Sequence, residues 1–180
     1  MRPTVALFAS SRRNGNTGQL MDRVARELQI EVIDLAQKNI STFDYEHRNR
    51  HDDFEALIDH VLEFEQVIFA SPVYWYSVCP PIKVFLDRLS DLLEVPELLA
   101  KGRRLRGKSV YVLCTSIEDA ADASFVSLWR DTCNYLGMEY GGLLHANCRD
   151  GYVPARCEQD VEAFVLRVRT ATGQVRSQPA

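Results

Sequence analysis

The chain is expected to fold as a doubly wound α/β domain, a five-stranded parallel sheet of order 2-1-3-4-5 with helices on both faces. Short apolar runs alternate with helically spaced apolar stripes from one end to the other, which is the form that successive βα units take. Right-handed crossovers then leave two common strand orders, and five strand-like runs with no sixth select this one. A length of 180 residues is enough for one domain with a substantial core.

Taken in order, the strand candidates are Thr4 to Ala9, Ile30 to Asp34, Val67 to Ala70, Ser109 to Thr115 and Glu139 to His145. The first is followed by a stripe of Leu20, Val24 and Leu28. The second leads through the polar connection Ile40 to Asp53, which has no assigned role, to Leu57, Ile58, Val61 and Leu62. Ile82, Phe85, Leu86 and Leu89 follow the third, and Phe125, Leu128, Trp129, Cys133 and Leu136 follow the fourth, stopping at Gly137. Val161, Phe164, Val165 and Val168 form the last stripe. Residues 1–169 are read as a single domain, and 170–180 as a polar tail expected to fray.

Composition narrows the functional classes. The 25 acidic and 21 basic residues give a net charge of −4, so no general attraction to nucleic acid or to an anionic membrane is implied. The N-terminal apolar run is too short and wrongly flanked for a signal peptide, and no apolar stretch is long enough to span a bilayer, so a cytoplasmic location is expected. The five cysteines, Cys79, Cys114, Cys133, Cys148 and Cys157, are widely spaced and lack any C-x-x-C pair. They fit a reducing compartment, with no metal site. Cys114 and Cys133 fall on apolar faces, whereas Cys79, beside Pro80, is read as exposed.

In a sheet of this order the crevice lies at the carboxyl edge between strands one and three, and the two loops emerging there carry the most distinctive chemistry. After strand one comes Ser10-Ser11-Arg12-Arg13-Asn14-Gly15-Asn16-Thr17. A helix N-terminus presents free N–H groups and partial positive charge to an anion. Ser10, Ser11, Asn16 and Thr17 add side-chain donors, Arg12 a charge-assisted pair, and Gly15 a tight turn. Such residues also cap helices of every function, but their number exceeds what one cap can use. The dinucleotide fingerprint is missing because Gly15 is the only glycine, and the triphosphate loop's Gly-Lys-Ser/Thr ending is replaced by Gly15-Asn16-Thr17. No thiol nucleophile of a phosphatase is present, and Ser71 and Pro72 stand where a phospho-acceptor aspartate would be. The loop is built to hold a monophosphate rather than to cleave it.

After strand three comes Pro72-Val73-Tyr74-Trp75-Tyr76-Ser77, which brings three large rings to the sheet edge. Rings of this kind cap cores and make subunit contacts, and they also stack on flat ligands. A phosphate loop and an aromatic wall in one crevice fit flavin mononucleotide (FMN). The third edge loop offers Thr115 and Ser116 as donors and then Glu118, Asp119 and Asp122. These acids are read as facing solvent, since carboxylates against the flavin edge would oppose its reduction, and as an acidic first turn for the next helix. The basic run Lys101 to Lys108 is read as a solvated connection, and His145 as satisfying a local carbonyl.

These motifs resemble the flavodoxin-like NAD(P)H-dependent FMN reductases. Ser10 to Thr17 stands as their phosphate loop, and Ser71 to Ser77 followed by Lys83-Val84-Phe85-Leu86-Asp87-Arg88 as their isoalloxazine loop and its helix, within a likeness running from Val5 to about Phe164. The resemblance implies FMN as cofactor, NADPH or NADH as reductant, a small-molecule electron acceptor such as a flavin or quinone, and a homodimer or homotetramer. The chain departs from many relatives in having Ile117 to Asp122 where glycines are common, and Cys79-Pro80-Pro81 where a glycine or serine stands. No cysteine cluster like that of the iron-sulfur members lies between Ile40 and Asp53. On this reading Ser10, Ser11, Arg12, Asn16 and Thr17 hold the phosphate, Pro72 to Ser77 wall the ring, Thr115 and Ser116 touch its far side, and no catalytic side chain is needed. The alternatives are a flavodoxin-type electron carrier without a nicotinamide site, and a flavin-free regulator that binds a phosphorylated ligand.

Overall fold

The computed structural model describes residues 3–171, so the expected tail lies outside the described residues from position 172 onward. Strands β1 (Thr4–Phe8), β2 (Glu31–Asp34), β3 (Gln66–Pro72), β4 (Ser109–Ser116) and β5 (Glu139–Asn147) form one parallel sheet of order β2-β1-β3-β4-β5. The sequence expectation holds strand for strand. β1 and β3 are buried throughout, as strands covered on both faces must be.

Alternate residues of each strand feed two separate cores. On one face Val5, Leu7, Val67, Phe69, Val110 and Val112 meet α2 (Phe54–Val61), α3 (Pro80–Arg88) and α6 (Ala123–Leu136). Trp129 stacks near Phe69, with ring centroids 4.7 Å apart. On the other, Ala6, Phe8, Ile68 and Leu113 meet Leu20, Met21 and Val24 of α1 (Asn16–Leu28) and Val161, Phe164 and Val165 of α7 (Glu158–Thr170). The helical stripes therefore face the sheet as their spacing requires. Two short helices missing from the sequence reading, α4 (Asp91–Glu94) and α5 (Leu99–Arg103), lie between α3 and β4. Cys114 and Cys133 are fully buried, and the apolar surroundings push both thiols up to about 12.

The basic run ahead of β4 is only partly the solvated connection expected. Lys101 pairs with Asp59, Arg104 donates to the Leu62 carbonyl, and buried Lys108 donates to the carbonyls of Leu62 and Phe64. These lysine and arginine heads fasten the end of α2.

The polar connection after β2 is an anchor. Asp52 and Asp91 both pair with the fully buried guanidinium of Arg88, at 2.5 and 2.7 Å. Arg88 also donates to the Ser41 carbonyl at 3.1 Å, and its guanidinium carbon lies 4.7 Å from the centre of the Phe54 ring. His47 closes the group by bonding Asp91 through Nδ1 at 2.8 Å and Glu94 through Nε2 at 3.2 Å. Burial pulls the Arg88 pKa down, but the hydrogen bonds it donates to both carboxylates outweigh it and raise the net value. Burial likewise pushes Asp52 up, and the bonds from Arg88, Ser41 and Phe54 more than reverse it, leaving a lowered pKa.

Candidate cofactor site

The three loops leaving β1, β3 and β4 at their carboxyl ends enclose one cleft of about 910 Å³. Parallel pairing makes this unavoidable, since Phe8 stands opposite Ala70 and Pro72 opposite Thr115. Ser10, Arg12, Gly15, Asn16 and Thr17 line it from the first loop, and Pro72 to Tyr76 from the second. Thr115, Ser116 and the residues after them complete the wall. Of the residues expected at the site, Ser11 and Ser77 do not line the cleft. The Ser11 hydroxyl bonds the Tyr74 hydroxyl at 2.9 Å, which joins the first two loops, and Ser77 pairs with Tyr74 through the backbone.

Part of the first loop's donor set is left free. Gly15 is the N-cap of α1 and supplies no side-chain cap, so the opening N–H groups of that helix are not satisfied by a capping side chain. The Arg12 guanidinium has no ion pair among the described residues, whereas Arg13 is turned away, paired with Asp22 at 2.6 Å and lying over the Phe8 ring. Asn16 Oδ1 accepts from the Tyr152 N–H, which aims the rest of that amide. Thr17 and Thr115 touch through their hydroxyls at 2.6 Å beneath the cleft. Gly18 is a residue the sequence reading passed over. A Cβ there would sit 1.8 Å from the Arg13 carbonyl oxygen, so only glycine lets the loop fold this closely onto the helix. A lone glycine within a helical pattern carries no signal of such an approach.

The second loop is a two-residue turn. Tyr74 and Ser77 exchange both backbone hydrogen bonds, and Trp75 and Tyr76 between them have φ of 47° and 63°. That is the form of a type I′ turn, normally built from Asn-Gly. Holding two aromatic residues at positive φ costs on the order of 1 kcal/mol or more each. The rings are not used as core caps, since Trp75 is 92% and Tyr76 64% exposed. The base of the loop is rigid: Ser71 Oγ accepts from the Cys79 N–H at 2.9 Å, and the Cys79 thiol donates to the Ala9 carbonyl at 3.3 Å. Cys79 is thus buried, contrary to the sequence expectation. Burial raises its pKa, consistent with a latch between two loops rather than a nucleophile.

The third loop corrects two further expectations. Glu118 and Asp119 are exposed, as expected, and with half-buried Asp122 they stand at the cleft mouth, but they do not form an acidic first turn of the next helix. Asp122 does cap α6, accepting from the Ser124 N–H at 2.7 Å, but Glu118 and Asp119 precede that helix, and Asp119 is held instead by Asn147. His145 bonds no carbonyl among the described residues; its Nε2 lies 2.8 Å from Ser116 Oγ. Cys148 also lines the cleft, its thiol pushed up to about 11 by burial. No metal-ligating cluster occurs among the described residues, and no helix among them is long and apolar enough to cross a membrane.

Comparison with known proteins defines the class. The model of the NADPH-dependent FMN reductase family matches residues 3–142. The chain belongs to that family, and with it to the flavoprotein oxidoreductases that bind FMN and are reduced by a nicotinamide dinucleotide. A curated Bacillus subtilis relative, named as a "putative NAD(P)H-dependent FMN-containing oxidoreductase YwqN", is 25% identical over 140 residues, 73% of this chain and 77% of its own length. The solved structure of Trp repressor binding protein from Bacillus subtilis superposes with a TM-score of 0.71 at 21% identity, covering 93% of this chain and 99% of that one. An FMN-dependent NADH-azoreductase from Bacillus anthracis, solved in complex with FMN, superposes at 0.67 with 11% identity, covering 94% and 100%. At such identities the two structures speak to the fold alone.

Proposed function

We propose that the cleft holds FMN with its phosphate at the first loop and its ring against the second, and that the enzyme passes electrons from NADPH or NADH to a small, flat acceptor such as a quinone or a flavin. The observation that carries this reading is the unspent set of donors at one end of the cleft: an uncapped helix start, an unpaired Arg12, and the side chains of Ser10 and Asn16. Bound FMN supplies the redox chemistry, accepting reducing equivalents from the nicotinamide and delivering them to the acceptor. The protein's share is placement. Arg12 and the α1 N-terminus neutralise the phosphate dianion, and Thr17 and Thr115 set the floor. Trp75 and Tyr76 give a flat apolar surface at the mouth, where a second ring can stack. Thr115 and Ser116 offer hydroxyls on the far side. Glu118 and Asp119 at the mouth favour neutral or cationic acceptors over anionic ones.

Membership of the NADPH-dependent FMN reductase family favours an enzyme over an electron carrier. We place it in the cytoplasm as a homodimer or homotetramer. The visible spectrum of the FMN-loaded protein on anaerobic addition of NADPH, followed by a quinone, tests the function. Bleaching and then recovery of the flavin absorbance is expected. A bound flavin that NADPH and NADH both fail to bleach would identify a carrier.

A further inference from the structure

Among the described residues, Ser116 is a cleft-lining hydroxyl that a histidine grips from behind. Its Oγ accepts from the Glu118 N–H at 3.1 Å and lies 2.8 Å from His145 Nε2. A serine hydroxyl has one proton and two lone pairs. With one lone pair taken by Glu118, the remaining hydrogen-bonding position depends on the imidazole. When Nε2 is bare, Ser116 donates to it and turns a lone pair to the cleft. When Nε2 carries a proton, it donates to Ser116, whose own O–H turns to the cleft.

We propose that His145 is a positioning residue that decides, through Ser116, whether the cleft is offered a hydroxyl donor or an acceptor, and that binding of an oxygen-rich flavin therefore favours a proton on His145 Nε2. The proposal rests on the FMN-binding reading above. The groups around the imidazole allow a change of charge. Asp119 from the third loop and Asp160 and Arg167 from α7 line the same hollow of about 310 Å³ behind the cleft. The side chain is half-buried. Burial lowers its pKa and the two aspartates raise it, with a net lowering from the ordinary histidine value.

The sign follows by linkage. If the loaded protein has the higher imidazole pKa, flavin binds tighter below the ligand-free pKa, and the advantage is lost as pH rises through the loaded value. A rise of about one unit is about a tenfold difference in affinity.

The test is imidazole nitrogen NMR of the whole chain, without and with FMN, which reads tautomer and pKa at His145 directly and does not depend on turnover. We expect Nε2 to be unprotonated at about pH 8 in the ligand-free protein, and to gain a proton and a higher pKa on loading. In Ser116→Ala the response to loading should vanish. Riboflavin, which lacks the titrating phosphate, should show the affinity change across pH in the unaltered protein and a flat profile in His145→Gln. Flavin binding with an unmoved His145 signal, or an equal response in Ser116→Ala, overturns the coupling alone. A chain that binds neither FMN nor riboflavin overturns the FMN reading as well.

Discussion

The Arg88 cluster and the first loop of the cleft both gather charge and polar groups near the sheet, and they differ in what is left over. Around Arg88, two carboxylates, a carbonyl and an aromatic ring are spent on one guanidinium, and only Nη2 lacks a partner. Around Arg12, no ion pair forms among the described residues and the helix start has no side-chain cap. A satisfied group holds the protein together, whereas an unsatisfied one waits for something else. The contrast gives a physical way to separate architecture from function when both are rich in charge.

The sharpest way to break this comparison is Arg88→Ala. Two buried carboxylates would lose the guanidinium they share, so a loss of about 3–5 kcal/mol in urea unfolding is expected. A loss under about 1 kcal/mol would show that the cluster is not an anchor. The same anchor predicts an acid limb. Asp52 has a lowered pKa in the folded state, so its contribution is present above the unfolded value of about 3.9 and drains away as pH falls through the folded one. In Asp52→Asn that limb of the stability curve should flatten, as read by thermal melts from about pH 6 downward.

Arg12→Ala should do the opposite. Stability should stay within about 0.5 kcal/mol, since an exposed unpaired residue is removed. FMN affinity should fall by about 10- to 100-fold, the worth of one charge-assisted hydrogen bond, with riboflavin affinity unchanged. Equal losses for both flavins in a fluorescence titration would take Arg12 away from the phosphate.

The strained turn offers the smallest and most diagnostic effect. Replacing Trp75 and Tyr76 by Asn and Gly supplies the residues that a type I′ turn prefers, so the protein should gain about 1–2 kcal/mol. The stacking surface goes with them, and kcat/KM for a quinone should drop. A stabler protein with unimpaired turnover would show that the rings serve something other than the acceptor.

Much of this was legible in the sequence because it is local. Five apolar runs and the stripes at Leu20 or Phe85 report burial directly, and the two loops announce themselves by residue type and by position after a strand. What escaped notice depends on partners far apart along the chain. Arg88 shows its i,i+3 acid Asp91, but nothing marks Asp52, 36 residues earlier, as the second. His145 was assigned a carbonyl because the register that sets Ser116 beside it, between β4 and β5, exists only once the sheet is paired. The exposure of Glu118 and Asp119 in the third loop is legible, but the hydrogen bond by which Asn147 on the edge strand holds Asp119 at the cleft mouth is not.

The contact between Asn16 and Tyr152 spans 136 residues, and Thr17 meets Thr115 across 98. A ribosome making this chain must therefore release Tyr152 before the first loop can acquire its final shape. Completion of the cleft is then a late event in biogenesis, after the last strand of the sheet has been made.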